Sequence, residues 1–578
     1  MSDFPLSTLR HSASHILAQA VLRLFPETKL AIGPAIENGF YYDFDVEKPF
    51  GPEDLAAIEK EMKRIIKERY RIEAFDLPRD EALALMADQP YKLELIAELP
   101  DGEPIHFYKQ GEFTDLCAGP HTDHTGRAKS FKLLNATGAY WRGDSSKKML
   151  CRVYGTAFDT KDELAVHLTA LEEAKKRDHN RLGRELEYFT TVEYIGQGLP
   201  ILMPRGARVI QLLQRFVEDE EQRRGYLLTK TPMLAKPDLY KISGHWDHYR
   251  DGMFVVGDPA GDESEMLALR PVTCPFQFQV YLSRTRSYRD LPMRLGETST
   301  LFRNESSGEM HGLIRVRQFT ISEGHIACTP EQLEDEFKDC VDLAAFMLRA
   351  VGLDGDVSYR FSKWDENNRE KYIGSPEQWE DVQNRMRSIL DHMELNYEEA
   401  DGEAAFYGPK LDIQIRNVHG KEDTLITIQI DFQLAERFGM EYTDRGGERK
   451  HPYVIHRTSI GCYERTLALL IEKYAGALPF WLSPTQAIVI PITERQHEYA
   501  RDLRDRLVAE GFRVELDDRS EKMGFKIREA QMAKWPYMLV VGDREMEEGL
   551  VAVRERREGD LGTMTVEDVI SRLKADVV

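Results

Sequence analysis

Cysteine is scarce in this sequence of 578 residues, which holds six, scattered at positions 117, 151, 274, 328, 340 and 462. Cysteines so few and so widely spaced do not make a disulfide framework, and they favour a reducing compartment. Long apolar runs are missing too, so the sequence offers no segment that could span a membrane. The first fifteen residues lack the basic-then-apolar pattern of a secretion signal, and we therefore expect a cytoplasmic protein.

An excess of basic residues is also missing. The 77 Lys and Arg against 99 Asp and Glu give a net charge of −22, which argues against a general nucleic-acid binder but does not exclude a local basic groove. The sequence shows neither an internal repeat nor a low-complexity segment. With 42% hydrophobic and 30% charged residues it has the composition of a globular protein, and its length predicts three or four domains.

The segment 301–325 combines the parts of a nucleotide and amino-acid site. It opens with a short strand pattern around Arg303, turns through Gly308, and returns as a run rich in β-branched and aromatic residues, which predicts a hairpin with a long loop. Alternate side chains of a strand share a face, so one face would carry Arg315, Arg317, Phe319, Ile321, Glu323 and His325 over about 30 Å. A solvated strand with a charged outer face is the alternative interpretation.

Two pairs of metal-capable side chains have a spacing of four residues. His11 and His15 lie in a helix pattern over residues 7–25, and Cys117 and His121 repeat the spacing. Three imidazoles and a thiol can hold zinc or position a water for hydrolysis, and both uses stay open at this point. A polar helix surface is the structural alternative for the histidine pair.

Together with the run 138–145 (GAYWRGDS), these pairs resemble the editing domain of threonyl-tRNA synthetases, which alanyl-tRNA synthetases share in outline. The resemblance implies a pocket that hydrolyses serine wrongly attached to threonine tRNA. It also implies hydrolysis without a metal, unlike in the alanyl relatives, which carry zinc there. The residues that would line this pocket or assist in it are His11, His15, Tyr42, Lys92, Asp115, Cys117 and His121.

Three further segments resemble the motifs of class II aminoacyl-tRNA synthetases, in the order that the class requires. A helix pattern over 207–223 leads to residues 231–233 (TPM), like motif 1, whose proline lies at a homodimer interface. The hairpin at 301–325 is similar to motif 2, and residues 460–465 with the apolar helix that follows match motif 3. The resemblance implies a homodimer and an antiparallel catalytic sheet.

One zinc ion per chain is implied by Cys274, His325 and His456, which stand where threonyl-tRNA synthetases hold zinc in the active site. One sulfur and two imidazoles leave a coordination position for substrate, as in catalytic zinc sites. Threonine and valine are nearly isosteric, and a hydrophobic pocket separates such pairs by only about 10². Zinc bound to the amino group and the hydroxyl of threonine would reject valine, which has no hydroxyl. Serine keeps the hydroxyl and would be accepted, so the editing domain is needed to remove it.

The same resemblance implies roles for the other residues of the site, with ATP bound together with Mg²⁺. Arg303 would hold the α-phosphate and the carboxylate, Phe319 would stack on adenine, and His245 would act as the base when the tRNA ribose attacks the adenylate. The orientation of the nucleotide and its outer phosphates would depend on Glu305, Arg315 and Arg465. The threonine and nucleotide pocket would be lined by Glu323, Tyr407, Lys410 and Gln429.

The predicted organisation is multidomain, of α/β and α+β class. We expect the editing domain over 1–159, a linker helix over 160–185, the class II catalytic domain over 186–478 and an anticodon-binding domain over 479–578. In the last region strand and helix patterns alternate, which predicts an α/β fold. Its resemblance to the anticodon-binding domain of class II synthetases implies anticodon contacts, with solvated surface as the alternative, at Lys522, Glu545 and Arg554.

Three departures from the family are visible. Where the family has Gln-Asp-Asp-Ala before the zinc histidine, this chain has residues 321–324 (ISEG), so Glu323 keeps the carboxylate with one more methylene. Residues 424–426 (TLI) replace a Gln-Cys-Gly stretch ahead of Gln429. The resemblance also begins directly at the editing domain, so we expect no small ubiquitin-like N-terminal domain, with natural absence and truncation both open.

The sequence is thus identified as a member of the threonyl-tRNA synthetases. Membership implies an enzyme that joins threonine to its tRNA through threonyl-adenylate, consumes ATP, and clears serine afterwards. One alternative is a non-catalytic RNA-binding paralogue, against which the retained Arg303, Arg465 and metal ligands argue. Another is a related synthetase for a different amino acid, an alternative that the altered residues 321–324 leave open.

Overall fold

A computed structural model of the chain describes residues 4–100, 102–144, 146–258, 261–418 and 420–577. It divides into two compact units, Met1–Glu172 and Glu173–Val578. Ser145, the last residue of the run at 138–145, lies outside the described residues. Among the helices of these ranges, none is both long enough and apolar enough to cross a membrane.

The first unit packs helices on a five-stranded antiparallel sheet and adds a three-stranded one. Its first helix is buried along most of its length, which brings the histidines on it inside the fold. The helices are Leu6–Leu24, Pro52–Glu68, Arg79–Leu85 and Pro90–Glu98. The larger sheet holds Lys29–Leu30, Ala35–Ile36, Gly39–Asp45, Ser130–Tyr140 and Met149–Phe158, and the smaller holds Ile72–Leu77, Ile105–Gln110 and Phe113–Leu116.

The predicted linker helix over 160–185 is two helices, Lys161–Arg177 and His179–Glu185. The break falls at Asp178, whose side chain accepts from Arg181 N at 3.0 Å and so caps the second helix. The division between the two compact units falls inside the first of these helices. The domain boundaries at 159, 185 and 478 remain predictions.

His179, the first residue of the second linker helix, is fully buried. Its Nδ1 lies 2.7 Å from Glu472 Oε1, and its Nε2 accepts from Leu313 N at 3.3 Å. Gly312 permits this approach, because a Cβ there would lie 2.1 Å from His179 Nε2. Both nitrogens of the imidazole are thus engaged within the protein.

The second unit is built on an eight-stranded sheet. In spatial order its strands are Leu227–Leu228, Met293–Phe302, Gln318–Cys328, Tyr453–Cys462, Glu422–Asp431, Lys410–Arg416, Val357–Ser362 and Tyr397–Ala400. Only the two outermost pairings are parallel. The helices around it are Pro204–Arg223, Pro237–Ser243, His245–Tyr249, Cys274–Leu282, Leu333–Val351, Pro376–His392, Leu434–Arg437 and Tyr463–Tyr474. Short strands lie outside it at Phe189–Thr190, Ile201–Leu202, Leu234–Ala235, Val255–Val256, Leu267–Leu269, Arg286–Ser287, Tyr442–Thr443 and Arg449–Lys450.

The hairpin predicted over 301–325 exists, but its strands end earlier on the loop side. They run over Met293–Phe302 and Gln318–Cys328, so Arg315 and Arg317 lie in the connecting loop and not on the strand face. The ladder ends there because the backbone N–H of Arg317 donates to Gly198 O, in a different segment, at 2.8 Å. Within the strand, Phe319, Ile321 and Glu323 line one cleft, as alternation predicts.

The last hundred residues form a five-stranded sheet with helices. The strands, in spatial order, are Val514–Leu516, Ala487–Pro491, Tyr537–Val541, Leu550–Glu555 and Gly559–Thr565, the first three parallel and the last two antiparallel. The helices are His497–Ala509, Met523–Met532, Asp543–Glu548 and Val566–Ala575. The multidomain α/β and α+β class predicted from the sequence is confirmed, including the antiparallel core and the α/β C-terminal domain.

Candidate functional site

A cleft of about 590 Å³ lies against the eight-stranded sheet. Strand side chains, the first residues of helices and the loop between the two hairpin strands all contribute to its walls. The residues predicted for the nucleotide, threonine and zinc sites line it, except His325, which is buried next to His456. These lining residues are His245, Cys274, Arg303, Glu305, Arg315, Phe319, Glu323, Tyr407, Lys410, Gln429, His456 and Arg465.

Cys274, His325 and His456 come together because two neighbouring strands and a helix start meet at this point. The two histidines are direct partners in the antiparallel register, and their ring centroids lie 4.5 Å apart. Cys274 is the first residue of its helix. All three residues are buried, and one ligand atom from each lies within 4.8 Å of the other two.

The three side chains fit a zinc ion by their chemistry. His325 Nε2 is buried and has no hydrogen-bond partner in the described chain, so its lone pair is available to a metal. Burial raises the pKa of the Cys274 thiol, which therefore ionises only when a nearby cation compensates the charge. His456 has Nε2 2.8 Å from Asp431 Oδ2, which orients the ring and leaves the other nitrogen for a ligand.

Glu323 lies beside this set. Its Oε1 is 3.8 Å from His325 Nε2, and its Oε2 is buried without a hydrogen-bond partner among the described residues. Burial raises the pKa of this carboxyl group. A buried carboxylate oxygen that no protein group satisfies is suited to a donor from a ligand, such as a hydroxyl or an ammonium group.

Two arginines reach the cleft without a carboxylate partner in the described chain. The guanidinium carbon of Arg303 lies 5.2 Å from the centre of the Phe319 ring. Arg465 donates to the backbone oxygens of Ile314 and Thr424, which fix its position. A fixed cation next to an aromatic face is suited to a phosphate attached to a nucleoside.

Arg315 is held differently, because two carboxylates bind it. Its Nη2 lies 2.8 Å from Glu305 and 2.9 Å from Glu309, both in the loop between the hairpin strands. The predicted roles of Arg315 on the outer phosphates and of Glu305 on the nucleotide therefore require these pairs to separate. Because the Arg315 end of both pairs is exposed to solvent, each pair contributes about 0 to 1 kcal/mol and can be exchanged at little cost.

Other polar groups in the wall of the cleft are already paired. The Tyr407 hydroxyl donates to Gln429 Oε1, and Lys410 Nζ lies 2.8 Å from the buried Asp412. His245 is buried, and its Nδ1 lies 2.8 Å from the Ser243 hydroxyl. Burial lowers the pKa of His245 to about 3, so the imidazole is neutral at physiological pH and can accept a proton.

A buried ion pair restricts which residue can stand at position 324. Arg457, which follows His456, donates from Nη1 to Glu221 Oε1 at 2.6 Å. A Cβ at position 324 would lie 2.6 Å from Arg457 Nη2, and also 2.6 Å from Leu295 O. The chain therefore needs Gly324 where the family has alanine. This pair could not be predicted from the sequence, because 236 residues separate its members.

The first unit holds a second set of metal-capable groups, as predicted from the two i, i+4 pairs. One ligand atom from each of His11, His15, Cys117 and His121 lies within 4.8 Å of the other three. Cys117 Sγ is 3.2 Å from His11 Nε2 and 3.3 Å from His121 Nε2. The helix spacing places the two N-terminal histidines side by side, with ring centroids 5.3 Å apart.

This pocket is electrically neutral around its sulfur at pH 7. Burial lowers the pKa values of His11, His15 and His121, and it raises the pKa of Cys117 to about 11. Neutral imidazoles can accept a proton from water, which suits general-base hydrolysis.

Asp115 contacts the other two residues that are predicted to assist, Lys92 and Tyr42. Its Oδ1 lies 2.6 Å from Lys92 Nζ, and its Oδ2 accepts from the Tyr42 hydroxyl at 2.5 Å. His15 Nε2 is 3.8 Å from the same Oδ2. All four side chains are buried, so they form one connected group in the pocket wall.

Ser12 also lies in this pocket, although it was not predicted from the sequence. Its hydroxyl is 3.2 Å from His121 Nδ1 and accepts from Thr122 N at 2.9 Å. The available signal was its position three residues before His15 on a buried helix, which puts both on one face.

The three residues predicted for anticodon contacts sit on separate elements of the C-terminal sheet domain. Lys522 is exposed and precedes the helix Met523–Met532. Glu545 accepts from Gly542 N at 2.9 Å and so caps its own helix, and Arg554 pairs with Asp560 at 3.3 Å. Within the described residues no hydrogen bond or ion pair joins the three to one another. Their role remains a prediction.

Three family models match segments of the chain. Residues 105–154 match the threonyl and alanyl tRNA synthetase second additional domain, residues 254–474 the tRNA synthetase class II core domain (G, H, P, S and T), and residues 486–576 the anticodon binding domain. Two solved structures are similar as well. The RNA-binding domain of threonyl-tRNA synthetase from Cryptosporidium parvum Iowa II shares 34% identity at a TM-score of 0.64, covering 69% of this chain and 98% of its own. A putative threonyl-tRNA synthetase from Aeropyrum pernix shares 27% at 0.60, covering 69% and 96%.

Curated relatives are similar over nearly the full chain. The threonine–tRNA ligase of Clostridium perfringens (strain 13 / Type A) is 64% identical over 567 residues, which is 98% of this chain and 88% of that protein. The threonine–tRNA ligase of Geobacillus kaustophilus (strain HTA426) is 48% identical over 580 residues, which is 100% of this chain and 88% of that protein. The chain belongs to the threonine–tRNA ligase family, the threonyl-tRNA synthetases of class II.

Proposed function

We propose that this chain activates threonine with ATP, transfers it to threonine tRNA, and hydrolyses tRNA that carries serine. The observation that carries the proposal is the composition of the cleft. Its walls present two groups of side chains: Arg303, Arg465 and the Phe319 ring, which suit a nucleoside phosphate, and Glu323 beside the buried Cys274, His325 and His456 set. An aminoacyl-adenylate has this same division into a nucleotide and an amino acid.

In the activation step, the threonine carboxylate displaces pyrophosphate from the α-phosphate of ATP. Arg303 would bind the α-phosphate and the carboxylate as charge shifts between them, and Arg465, fixed by backbone oxygens, would bind the outer phosphates. Arg315 joins once it leaves Glu305 and Glu309, and Glu305 is then released to orient the nucleotide. Mg²⁺ enters with ATP as part of the substrate.

We assign zinc to Cys274, His325 and His456, one ion per chain. When bound, it supplies a Lewis acid that can take the amino group and the hydroxyl of threonine, which valine lacks. Glu323 Oε2, buried and unsatisfied in the described chain, would accept from that hydroxyl. Tyr407, Lys410 and Gln429 would complete the walls around the amino acid.

In the transfer step, a ribose hydroxyl of the tRNA attacks the adenylate carbonyl, which forms the ester, breaks the bond to the phosphate and releases AMP. His245 would accept the proton, since its imidazole is neutral and the Ser243 hydroxyl fixes its Nδ1 side. A pKa near 3 makes His245 a weak base in the empty cleft. The negative charge of a bound phosphate favours the protonated imidazole and should therefore raise this pKa.

We assign hydrolysis of seryl-tRNA to the pocket of the first unit, without a metal. His11, His15 and His121 are neutral proton acceptors around Cys117, and Asp115 orients Lys92 and Tyr42 beside them. A serine ester differs from threonine by one methyl group, worth about 1 to 3 kcal/mol of discrimination, so a second site is required for accuracy.

We also propose a homodimer. Apolar side chains are exposed along residues 227–267, in or next to the edge strand of the eight-stranded sheet and the short strands outside it, namely Leu227, Leu228, Met233, Leu234, Val255, Val256 and Leu267. An edge strand with apolar neighbours is a surface that a second copy can cover. The Thr231-Pro232 segment, which resembles motif 1, lies within it.

The tRNA would meet the C-terminal domain through Lys522, Glu545 and Arg554. A cytoplasmic location agrees with six cysteines that are all free thiols.

The test is pyrophosphate exchange measured with each of the twenty amino acids in turn. We expect ATP to be labelled strongly with threonine, weakly with serine and not with valine. Exchange with none of the twenty would refute the enzyme, and a preference for any amino acid other than threonine would refute the specificity.

A further inference from the structure

We propose that Gln277 is a positioning residue for the zinc site, because it fixes which nitrogen of His325 is available to the metal. The inference rests on the zinc assignment proposed above. Gln277 was not among the residues predicted from the sequence. It lies three residues after Cys274, on the same helix, and is fully buried.

A chain of buried hydrogen bonds begins at His325. Its Nδ1 lies 2.5 Å from Gln277 Oε1, and Gln277 Nε2 donates to the Thr229 hydroxyl at 2.7 Å. The Thr229 hydroxyl in turn donates to Glu297 Oε2 at 3.1 Å. Glu297 is fully buried and ion-paired with Arg270 at 2.9 Å.

The Glu297 carboxylate, at the far end of this series of hydrogen bonds, determines which group donates in each of them. A carboxylate paired with an arginine is an acceptor only, and so is Gly296 O, 3.2 Å from the same hydroxyl, so the Thr229 hydroxyl directs its proton to one of these two oxygens and not to Gln277. That hydroxyl must then accept from an N–H of Gln277, which turns the amide oxygen of Gln277 toward His325. An oxygen facing Nδ1 requires the proton to be on Nδ1, and Nε2 is left with its lone pair.

The other side of the ring agrees with this tautomer. His325 Nε2 is buried and has no hydrogen-bond partner in the described chain, so a proton on it would be a buried unsatisfied donor. A metal ligand with its second nitrogen hydrogen-bonded to an amide or carboxylate oxygen is the usual arrangement of a zinc histidine. Gln277 therefore prepares the ligand before the metal arrives.

The same series of hydrogen bonds connects the zinc site to a segment near the proposed subunit interface. Thr229 follows the edge strand Leu227–Leu228, and Thr231 also donates to Glu297, at 2.9 Å from its Oε2. A displacement of residues 229–231 would thus reach His325 through two side chains, Thr229 and Gln277. This makes Thr229 a second positioning residue of the zinc site.

The experiment measures zinc affinity on the full-length protein by competition with a chromophoric chelator. Gln277→Leu keeps a side chain of similar size and removes the acceptor, and we expect zinc to bind about 10- to 100-fold more weakly. Thr229→Val, which removes only the next link, should weaken binding in the same direction by less. Gln277→Glu restores an acceptor toward Nδ1–H and should recover most of the affinity.

Gln279→Leu is the matched control, because Gln279 is exposed on the same helix two residues away, and its zinc affinity should equal that of the unaltered chain. A second readout is the visible absorption of the cobalt-loaded protein, which should shift in Gln277→Leu and not in the control. Unchanged zinc affinity in Gln277→Leu overturns the inference; if that variant does not fold, unchanged affinity in Thr229→Val does so. An unaltered chain that binds no zinc refutes the zinc assignment itself, which is a different outcome.

Discussion

Replacing Glu323 by glutamine tests the part of the cleft where this chain departs from its family. The substitution keeps the size and shape of the side chain and removes the charge. In the structure the Oε2 atom is buried without a partner in the described chain, so the carboxylate offers its free acceptor to the substrate. We expect the threonine hydroxyl to donate to it.

The size of the effect follows from the type of bond that is lost. A hydrogen bond to a charged group contributes about 1.5 to 3 kcal/mol, and each 1.4 kcal/mol is a factor of ten, so the KM for threonine should rise roughly 10- to 150-fold. ATP binding and zinc content should stay the same, because Arg303, Phe319 and the three metal ligands are untouched. Rejection of valine should fall much less, since the metal enforces it.

A pH dependence separates the charge from the shape. Burial raises the pKa of Glu323, whereas zinc bound beside it favours the carboxylate, so threonine affinity should fall as the pH falls through the pKa that these two opposing effects set. The glutamine variant has no such group and should lack that loss. Pyrophosphate exchange at increasing threonine concentrations, repeated over a range of pH, gives both results. Threonine kinetics that match the unaltered chain at every pH would show that another group holds the hydroxyl.

Four further predictions use the same structure. Cys274→Ser should lose zinc and threonine activation together, and metal analysis that finds no zinc in active unaltered protein would contradict the assignment. The double variant His11→Ala and His15→Ala should activate threonine normally while seryl-tRNA accumulates; loss of activation in a folded variant would show that this is not a separate site. Cys117 is partly exposed, whereas the other five cysteines are buried. Because burial raises its pKa to about 11, it should react with iodoacetamide at pH 8 about a hundredfold more slowly than a thiol of pKa 9. Rapid labelling of the chelator-treated protein, measured by mass spectrometry, would refute that pKa. Gly324→Ala should lower the free energy of unfolding, measured in urea, by about 1 to 3 kcal/mol, because the new Cβ would collide with Arg457 and Leu295 O. Gly355→Ala is the control, since a Cβ there meets open space and should not lower the stability. Equal stability of the two variants would mean that the ion pair moves aside easily.

Much of the fold could be predicted wherever one segment carries its own signal. In the last region, where the sequence predicted alternating strands and helices, the runs Ala487–Pro491 and Tyr537–Val541 are strands, because strands buried in a parallel sheet are apolar along their length. The hairpin ends could not be predicted in the same way. Arg315 and Arg317 fit a strand pattern, but Gly198 takes the backbone bond that would have continued the ladder.

The sites show the same division. Metal-capable residues were predicted because their chemistry is rare and their spacing is short, as with His11 and His15. Their supporting residues were not, because the partners lie far apart in sequence and are ordinary in type. Gln277 is 48 residues from His325, and Ser12 is 109 from His121. Asp431 was within reach, since it lies two residues from Gln429 on one strand and hence on the same face.

The burial of His179 bears on how the protein can be cut into working parts. A fragment that starts at residue 186, the predicted edge of the catalytic domain, leaves the Glu472 carboxylate buried without its imidazole and the Leu313 amide without its acceptor. Leaving a buried donor or acceptor without its partner costs about 1 to 3 kcal/mol, and two such groups amount to a large share of the stability of a typical domain. It also releases the end of the loop that carries Arg315. A fragment that begins at Asp178 keeps the cap, the imidazole and both bonds, so eight residues decide whether the isolated catalytic half can hold its nucleotide loop.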